Sequence, residues 1–425
     1  MNHIFESLPF RPADILLPQG CDYDKWSVVA CDQYTSQPEY WQRVEERVGR
    51  APSALRLILP ESCLEGPNVE TDIMEINNTM SRYLREGRFV CHPDALIYVE
   101  RTLSGTGAVR RGLMGMVDLE QYDYEPGSKT AIRATEGTVT ARIPPRVAVR
   151  KNAPIELPHV MLLADDPKGT VIEPLAAQTG AMTPVYDFEL MEEGGHLRGW
   201  ELTQEQKAQV AQAIATLADP QVFRRRYHLG EEEPVLLFAV GDGNHSLATA
   251  KECYERQKRL TPPDQWERLP ARFALVELCN LHDPSLEFEP IHRVVFGVEP
   301  EELLSELAKI GRLGEGAVRC LYQGGETAVD LPRGRGELAI GPLQRFLDRW
   351  LGEHPQARMD YIHGAEVARR LAESQKDAVA FLLPPMEKEA LFPTVIRDGV
   401  LPRKTFSMGR AQDKRFYLEA RKIRV

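Results

Sequence analysis

The sequence predicts a protein of mixed α/β class, an α+β core with additional α/β elements, and three patterns carry this prediction. The first is a capping box at Ser36–Glu39 followed by apolar residues at helical spacing, which predicts a helix over about 37–48. The second is a pair of β-rich segments, Ala95–Leu103 and Ala108–Leu119, whose four-residue connection is typical of a hairpin turn.

The third pattern is a short apolar run, Val235–Val240, that leads through the glycine turn Gly241–Ser246 into a helical stretch. A run of this kind is typical of a buried central strand. The chain then returns as a strand at Arg272–Leu278, so the predicted order is strand, glycine turn, helix, strand.

The remaining segments extend the same mixture of helices and strands. Apolar stripes at helical spacing predict helices around 73–84, 203–217, 299–309, 343–351 and 367–371. Apolar runs or alternation predict strands at 139–143, 158–165, 318–323, 378–384 and 416–423. Pro144 and Pro145 separate the first two of these strands, and we expect them to exclude a helix there.

Length and pattern together suggest how the chain is divided. A chain of 425 residues is long enough for two or three domains. We expect an N-terminal helical and loop segment over 1–90 packed on the core, an α/β core over 91–297 that holds the glycine turn, and a C-terminal α/β domain over 298–425.

Composition excludes several classes of protein. The net charge of −11 argues against a duplex nucleic-acid partner, which needs a basic face. No secretory leader is visible, and the apolar runs are too short to cross a bilayer. The seven cysteines form no CxxC pair and are expected to be reduced thiols. We therefore expect a cytoplasmic protein with a small-molecule substrate and no membrane partner; a homo-oligomer is left open.

The glycine turn Gly241-Asp242-Gly243-Asn244-His245-Ser246 is the strongest candidate site. Its two glycines allow a tight turn and a close ligand approach, and the amides that open the following helix attract an anion. Gly241, Gly243, Asn244 and Ser246 are predicted to bind a cofactor phosphate. Asp242 is a candidate metal ligand or proton acceptor, and His245 a candidate acid or base. A purely structural turn explains the same residues.

Two further segments carry charged residues that suit a phosphate site. Glu136 is a candidate general base, with Arg142 and Arg146 beside it as candidate phosphate ligands. His292 and Arg293 precede an apolar run and are also candidate cofactor ligands. A solvated edge strand and a surface charge pair are the structural alternatives.

Five blocks of sequence together resemble the bacterial and archaeal domain of unknown function 1015 family. The blocks that carry the resemblance are Val29–Trp41, Arg133–Arg146, Glu156–Pro167, Val240–Lys251 and Glu289–Val295, and the similarity runs from about residue 10 to the C-terminus. More remotely, the glycine turn is similar to that of the ParB/sulfiredoxin-like superfamily, which implies a nucleotide-holding α+β core. Asp242, Gly243 and His245 match that turn.

The turn departs from the superfamily pattern at two positions. Asn244 stands where a histidine is usual and Ser246 where an arginine is usual. Because serine brings no charge, Arg142, Arg146 or Arg293 is expected to supply the missing cation.

The sequence contains no GxxxxGK[ST] loop, no HExxH, no CxxC pair and no GxSxG elbow, which disfavours P-loop kinases, zincins and α/β-hydrolases. The remaining mixture of glycine turn, carboxylates and arginines favours a nucleotide-dependent phosphotransferase that uses ATP or ADP with Mg²⁺. Its substrate would be a small polar metabolite such as a serine-like hydroxy acid. The alternatives are a metal-dependent hydrolase of a phosphorylated metabolite and a non-catalytic nucleotide or metabolite sensor.

Overall fold

A computed structural model describes residues 3–64, 66–138 and 143–424 of the chain. Four residues of the predicted strand at 139–143, among them the candidate phosphate ligand Arg142, lie outside the described residues. The prediction of a mixed α/β class is confirmed: helices and strands alternate along the chain, and the strands form mixed and antiparallel sheets.

The α-helices of the described residues are α1 (Tyr23–Trp26), α2 (Pro38–Val48), α3 (Val69–Arg85), α4 (Ile143–Arg150), α5 (Gln204–Leu217), α6 (Pro220–Tyr227), α7 (Asn244–Arg259), α8 (Pro300–Ala308), α9 (Ile340–Glu353), α10 (Ala365–Ser374) and α11 (Leu391–Asp398).

The strands are β1 (Phe10–Arg11), β2 (Ala13–Pro18), β3 (Val28–Val29), β4 (Phe89–Ala95), β5 (Ile97–Thr102), β6 (Val109–Asp118), β7 (Tyr122–Asp123), β8 (Ile132–Ala134), β9 (Ile155–Glu156), β10 (Met161–Ala164), β11 (Thr183–Leu190), β12 (Gly195–Glu201), β13 (Phe238–Asp242), β14 (Phe273–Asn280), β15 (Phe288–Phe296), β16 (Arg312–Tyr322), β17 (Gly325–Asp330), β18 (Arg358–His363), β19 (Ala378–Leu382), β20 (Phe406–Met408), β21 (Phe416–Tyr417) and β22 (Arg421–Lys422).

The chain forms two compact units whose limits differ from the predicted domain boundaries near 90 and 298. Unit 1 runs up to Leu286 and takes in the segment from Arg410 onward, and unit 2 is Glu287–Gly409. No unit boundary falls near residue 90, because β2 pairs with β4 across that position. The C-terminal segment belongs to unit 1, because β21 pairs with β3 and β22 with β9.

Unit 1 is built around a ten-stranded sheet in the order β11-β12-β5-β6-β14-β10-β13-β8-β7, with β1 beside β6. Successive residues of β5 point to opposite faces, so Ile97 and Val99 enter one apolar core while Tyr98 enters the other. Both faces of the sheet are therefore covered. The predicted hairpin is β5 and β6, which pair antiparallel.

The strand, turn, helix and strand order around the glycine turn is present, but β14 is not the neighbour of β13. Strand β10 lies between them, antiparallel to β13 and parallel to β14. Strand β8 flanks β13 on the other side in parallel register. The end of β13, the end of β8 and the start of β10 consequently meet at one edge of the sheet.

The expectation that Pro144 and Pro145 exclude a helix is wrong, because both lie in the first turn of α4. The first amides of a helix have no partner within the helix, so proline loses no hydrogen bond at these positions.

Unit 2 is a smaller sheet in the order β17-β16-β19-β15-β18, with β20 beside β15 and helices packed on it. No helix in the described ranges is long and apolar enough to cross a membrane.

Candidate functional site

The glycine turn joins β13 directly to α7, and its backbone geometry requires glycine. Gly243 has φ +82°, in the left-handed region that residues with a Cβ rarely adopt. A Cβ placed there would lie 3.0 Å from the Cα of Val160, the residue just before β10. The turn therefore has no Cβ at Gly243, and in the described chain no side chain caps the start of this 16-residue helix. Its first amides and dipole form an anion-attracting end.

Asn244 fixes this turn to the neighbouring strand. Its Oδ1 accepts the Thr135 amide at 3.1 Å, and its Nδ2 donates to Thr135 Oγ1 at 3.3 Å. The same hydroxyl donates to the Val240 carbonyl at 2.6 Å. Both side chains are buried. The Asn244 side chain therefore holds β8, β13 and α7 together, and only its backbone amide is left for the predicted cofactor contact.

Asp242 is held by the turn and by a lysine from the far end of the chain. Its Oδ1 accepts the Gly243 amide at 2.9 Å, and its Oδ2 lies 3.1 Å from Lys414 Nζ. The Lys414 side chain is only 9% exposed. This pairing places a buried ammonium group at the start of α7, from a lysine that the sequence analysis did not single out.

The segment that carries Lys414 is held in place by two buried arginines. Arg101 on β5 donates to the carbonyls of Lys414 and Gln412, at 2.9 and 2.7 Å. Arg110 on β6 donates to the Asp413 carbonyl at 2.7 Å. Because these contacts fix the backbone on both sides of the lysine, the ammonium group has little freedom to leave Asp242.

A second group of side chains lies beside Gly243. His159 Cδ2 would be 3.5 Å from a Cβ at that glycine, and His159 Nδ1 is 2.7 Å from the hydroxyl of Tyr417. That hydroxyl donates to Cys31 Sγ at 3.1 Å and accepts the Cys31 amide at 3.2 Å. Since its single proton goes to sulfur, the oxygen accepts from His159 Nδ1–H.

The thiol and the phenol in this group stay protonated. Burial, followed by the charge of Asp32, raises the pKa of the Cys31 thiol to about 12. Burial also raises the pKa of Tyr417 far above its ordinary value. These two groups orient His159 and take no part in proton transfer near neutral pH.

Asp32 is the carboxylate of the cluster. Burial alone would raise its pKa, but the charges of His159 and Lys414 and a 3.0 Å hydrogen bond from Gln33 outweigh burial and lower the pKa below its ordinary value. Asp32 is therefore an ionised, half-buried acceptor close to the His159 ring and the Lys414 ammonium group.

The structure places the predicted base and arginine of the second segment at the margin of this cluster. Glu136 is half-buried and follows Thr135 directly. Arg146 on α4 pairs with Glu61 at 2.8 Å, and the Glu61 amide donates to the Cys31 carbonyl at 2.8 Å, so Arg146 lies on the same side as the Cys31 loop. Among the turn residues, His245 and Ser246 are half-buried in the first turn of α7, and Gly241 lies within β13.

His292 and Arg293 lie in unit 2, on β15, whereas the turn lies in unit 1. The Arg293 guanidinium is fully buried and donates to Gln344 at 3.2 Å and to the carbonyls of Lys404 and Arg403. His292 Nδ1 accepts the Leu383 amide at 3.1 Å. Both side chains are thus engaged inside unit 2, and their predicted phosphate contacts stay a prediction.

Sequence reasoning missed four members of the cluster: Asp32, His159, Lys414 and Tyr417. A signal existed for two of them, because Asp32 and His159 lie in the blocks Val29–Trp41 and Glu156–Pro167 that carry the family resemblance. No signal existed for Lys414 and Tyr417, because no local sequence pattern shows that β21 pairs with β3. Within the described ranges, no three His, Cys, Asp or Glu side chains are grouped as a protein-only metal site would require.

Fold and site define a mixed α/β protein with a polar cluster at a strand–glycine–helix turn. The model of the family described as "Protein of unknown function (DUF1015)" matches residues 15–368, and the chain belongs to this family. No curated protein matches the sequence.

Three solved structures are similar to parts of the chain at low identity. A conserved hypothetical protein from Pyrococcus furiosus is 12% identical, with a TM-score of 0.34, over 71% of this chain and 90% of the other. An E30A mutant of a free serine kinase in complex with AMP is 13% identical, with a TM-score of 0.37, over 73% and 90%. SbnI from Staphylococcus aureus is 10% identical, with a TM-score of 0.35, over 72% and 82%. The predicted ParB/sulfiredoxin-like core is not established by these matches.

Proposed function

We propose that this chain is a phosphotransferase that binds a nucleotide such as ATP or ADP at the start of α7 and phosphorylates a hydroxyl group of a small polar metabolite. The observation that carries the proposal is that the buried Lys414 ammonium group pairs with Asp242, next to the N-terminus of α7, which no side chain caps in the described chain. Backbone amides, a helix dipole and a fixed cation at one point favour a phosphate group.

Asp32 is the general base of the proposed reaction. The acceptor hydroxyl oxygen bonds to the terminal phosphorus, the bond from phosphorus to the bridging oxygen breaks, and the shorter nucleotide leaves. The hydroxyl proton passes to the Asp32 carboxylate, which its lowered pKa keeps ionised near neutral pH. The Lys414 ammonium group offsets the negative charge on the transferring oxygens.

A metal ion is compatible with this arrangement. Mg²⁺ usually takes one or two protein carboxylates and completes its shell with water and substrate phosphates, so Asp242 alone suffices as the protein ligand. When bound, it would neutralise negative charge on the phosphate groups.

The test compares two carboxamide variants, Asp32→Asn and Glu136→Gln. Purified wild-type protein is incubated with γ-labelled ATP, Mg²⁺ and a panel of hydroxy acids, and label transfer is measured. We expect Asp32→Asn to lower the transfer rate by roughly 10²–10⁴-fold, as for loss of a general base. Glu136→Gln should keep most of the rate; the opposite pattern would return the base to Glu136.

Nucleotide binding is tested separately by thermal shift. ATP or ADP at about a hundredfold excess over its dissociation constant should stabilise the wild type by about 2.7 kcal/mol. The Asp32→Asn variant should keep this shift, because Asp32 acts on the acceptor and not on the nucleotide. Absence of any nucleotide shift in the wild type would refute the proposal.

A further inference from the structure

A polar cavity lies in unit 1 next to the loop that contains Asp32. Its volume is about 470 Å³, within the roughly 300–1,000 Å³ range of small-molecule pockets. The lining residues come from the Asp32 loop, α2, the β11–β12 turn and the C-terminal segment: Tyr34, Tyr40, Arg43, Arg47, Glu192, Glu193 and Gln412.

Sequence neighbours connect this cavity to the phosphate turn. Tyr34 lies two residues beyond Asp32, and Gln412 lies two residues before Lys414. The buried Arg101 donates at 2.6 Å to the Gly194 carbonyl in the β11–β12 turn and also to the carbonyls of Gln412 and Lys414. One guanidinium therefore holds the cavity wall and the lysine of the proposed phosphate site in a fixed relation.

Charges of both signs line the cavity. Arg43 Nε pairs with Glu192 Oε2 at 2.8 Å, while Arg47, which also pairs with Asp24 at 3.2 Å, and Glu193 supply a second cation and a second anion. The rings of Tyr34 and Tyr40 stack at 3.7 Å, and the Arg43 guanidinium lies 5.7 Å from the Tyr40 ring. The cavity is therefore close to neutral overall but strongly polarised, which favours a ligand that is itself both positive and negative.

The cavity wall is also held in an unusual backbone conformation. Tyr34, Glu192 and Glu193 have φ of 53°, 49° and 57°, three of the six non-glycine residues with positive φ in the described chain. Such conformations are rare for residues with a Cβ and are retained where the surrounding structure imposes them. Here they bring the two glutamates to the cavity.

We infer that this cavity is the acceptor subsite and that it takes a small hydroxylated zwitterion, with the carboxylate bound by Arg47 and Arg43 and the ammonium group by Glu193 and Glu192. The inference rests on the proposed function, because only the phosphoryl transfer gives the hydroxyl group its role. The ligand would lie between Tyr34 and Gln412, with its hydroxyl group on the side of Asp32.

The first experiment measures binding to the full-length wild type by calorimetry without nucleotide. The probes are L-serine and L-homoserine, with ethanolamine lacking the carboxylate and 3-hydroxypropionate lacking the ammonium group. We expect at least one amino acid to bind about tenfold or more tightly than both truncated analogues, because each loses one charged contact. Equal affinity for the analogues, or no binding of either amino acid, would overturn the inference.

The second experiment uses Arg47→Gln and Glu193→Gln, with Arg50→Gln and Glu46→Gln as controls. Glu46 lies on α2 and Arg50 follows this helix; both side chains are exposed, and neither lines the cavity. Each cavity variant should weaken amino-acid binding about tenfold or more, while the controls should not change it. Unchanged binding in both cavity variants would refute the assignment.

Nucleotide thermal shifts on the same four variants separate this inference from the proposed function. Cavity variants that keep the nucleotide shift but lose the amino acid place the two ligands in different subsites. Cavity variants that lose the nucleotide and keep the amino acid would show that the cavity holds part of the nucleotide, which would overturn the inference. If the wild type binds the amino acid but no nucleotide, the cavity assignment as a zwitterion site stands and the phosphotransferase proposal fails.

Discussion

Replacing Lys414 with methionine removes one charge and keeps most of the side-chain volume. The side chain is 9% exposed, and its Nζ lies 3.1 Å from Asp242 Oδ2. In the variant, the Asp242 carboxylate keeps the Gly243 amide but loses its cation. The free energy of unfolding should therefore fall for two reasons. The Asp242 carboxylate is left without a counter-charge, and the contacts of the lysine are lost.

The size of this effect follows from how well water reaches Asp242. Breaking a fully buried pair costs about 3–5 kcal/mol and an exposed pair about 0–1. The Asp242 side chain keeps 23% of its exposure, so water solvates the carboxylate in part, and we expect a loss of about 2 kcal/mol. Asp242→Asn combined with Lys414→Met should recover part of that loss, since no orphaned charge remains.

Urea unfolding of the two single variants, the double variant and Lys422→Met gives the comparison. Lys422 is an exposed lysine on β22 and serves as the matched control. We expect Lys422→Met to remain within about 0.5 kcal/mol of the wild type. If Lys414→Met behaves like the control, or if the double variant shows no coupling, then the ion pair does not hold the turn and the reasoning is refuted.

Two further predictions concern a buried amide and a buried imidazole. Asn244→Ala should lower the free energy of unfolding by about 1–3 kcal/mol, because the Thr135 amide loses its acceptor; Asn244→Asp, which keeps an acceptor oxygen, should lose less in the same urea titration. Burial, then the charges of Arg293 and His363, lower the pKa of His292, so the folded protein holds a neutral ring while the unfolded chain takes up a proton below about pH 6.5. Stability should fall as pH drops from 7.5 to 5.5, and His292→Asn, whose oxygen can accept the Leu383 amide, should flatten that part of the profile; an unchanged slope would contradict this assignment.

Local signals predicted most elements of the fold. The predicted helix over 37–48 is α2, but the capping box expected at Ser36–Glu39 does not form, because Gln37 is the N-cap and no side chain caps it. The helix predicted around 203–217 is α5, where Thr203 and Gln206 form the reciprocal hydrogen bonds of a capping box. Periodicity and capping act over a few residues, so one sequence shows them directly. Strand order could not be predicted in the same way: β10 lies between β13 and β14, and no pattern in either strand specifies its neighbour.

The candidate site was predictable only where it is continuous in sequence. The glycine turn, with its phosphate-type geometry, was found because strand, glycine and helix follow one another at Val240–Lys251. Lys414 reaches Asp242 because Arg101 and Arg110, on two strands of the sheet, hold its backbone. That contact joins residues more than 170 positions apart, and no local pattern specifies it.

The order in which the ribosome makes this chain determines when the cluster can form. Asp32, His159 and the turn are synthesised early, whereas Lys414 and Tyr417 follow the whole of Glu287–Gly409. At about 5–20 residues per second, roughly 120 intervening residues take about 6–24 s. During that interval the nascent protein has the strands and α7 but no ammonium group at Asp242 and no phenol at His159. A product released before residue 414 would therefore contain most of the sheet without a complete cluster, so nucleotide binding through Lys414 would distinguish finished chains from those cut short.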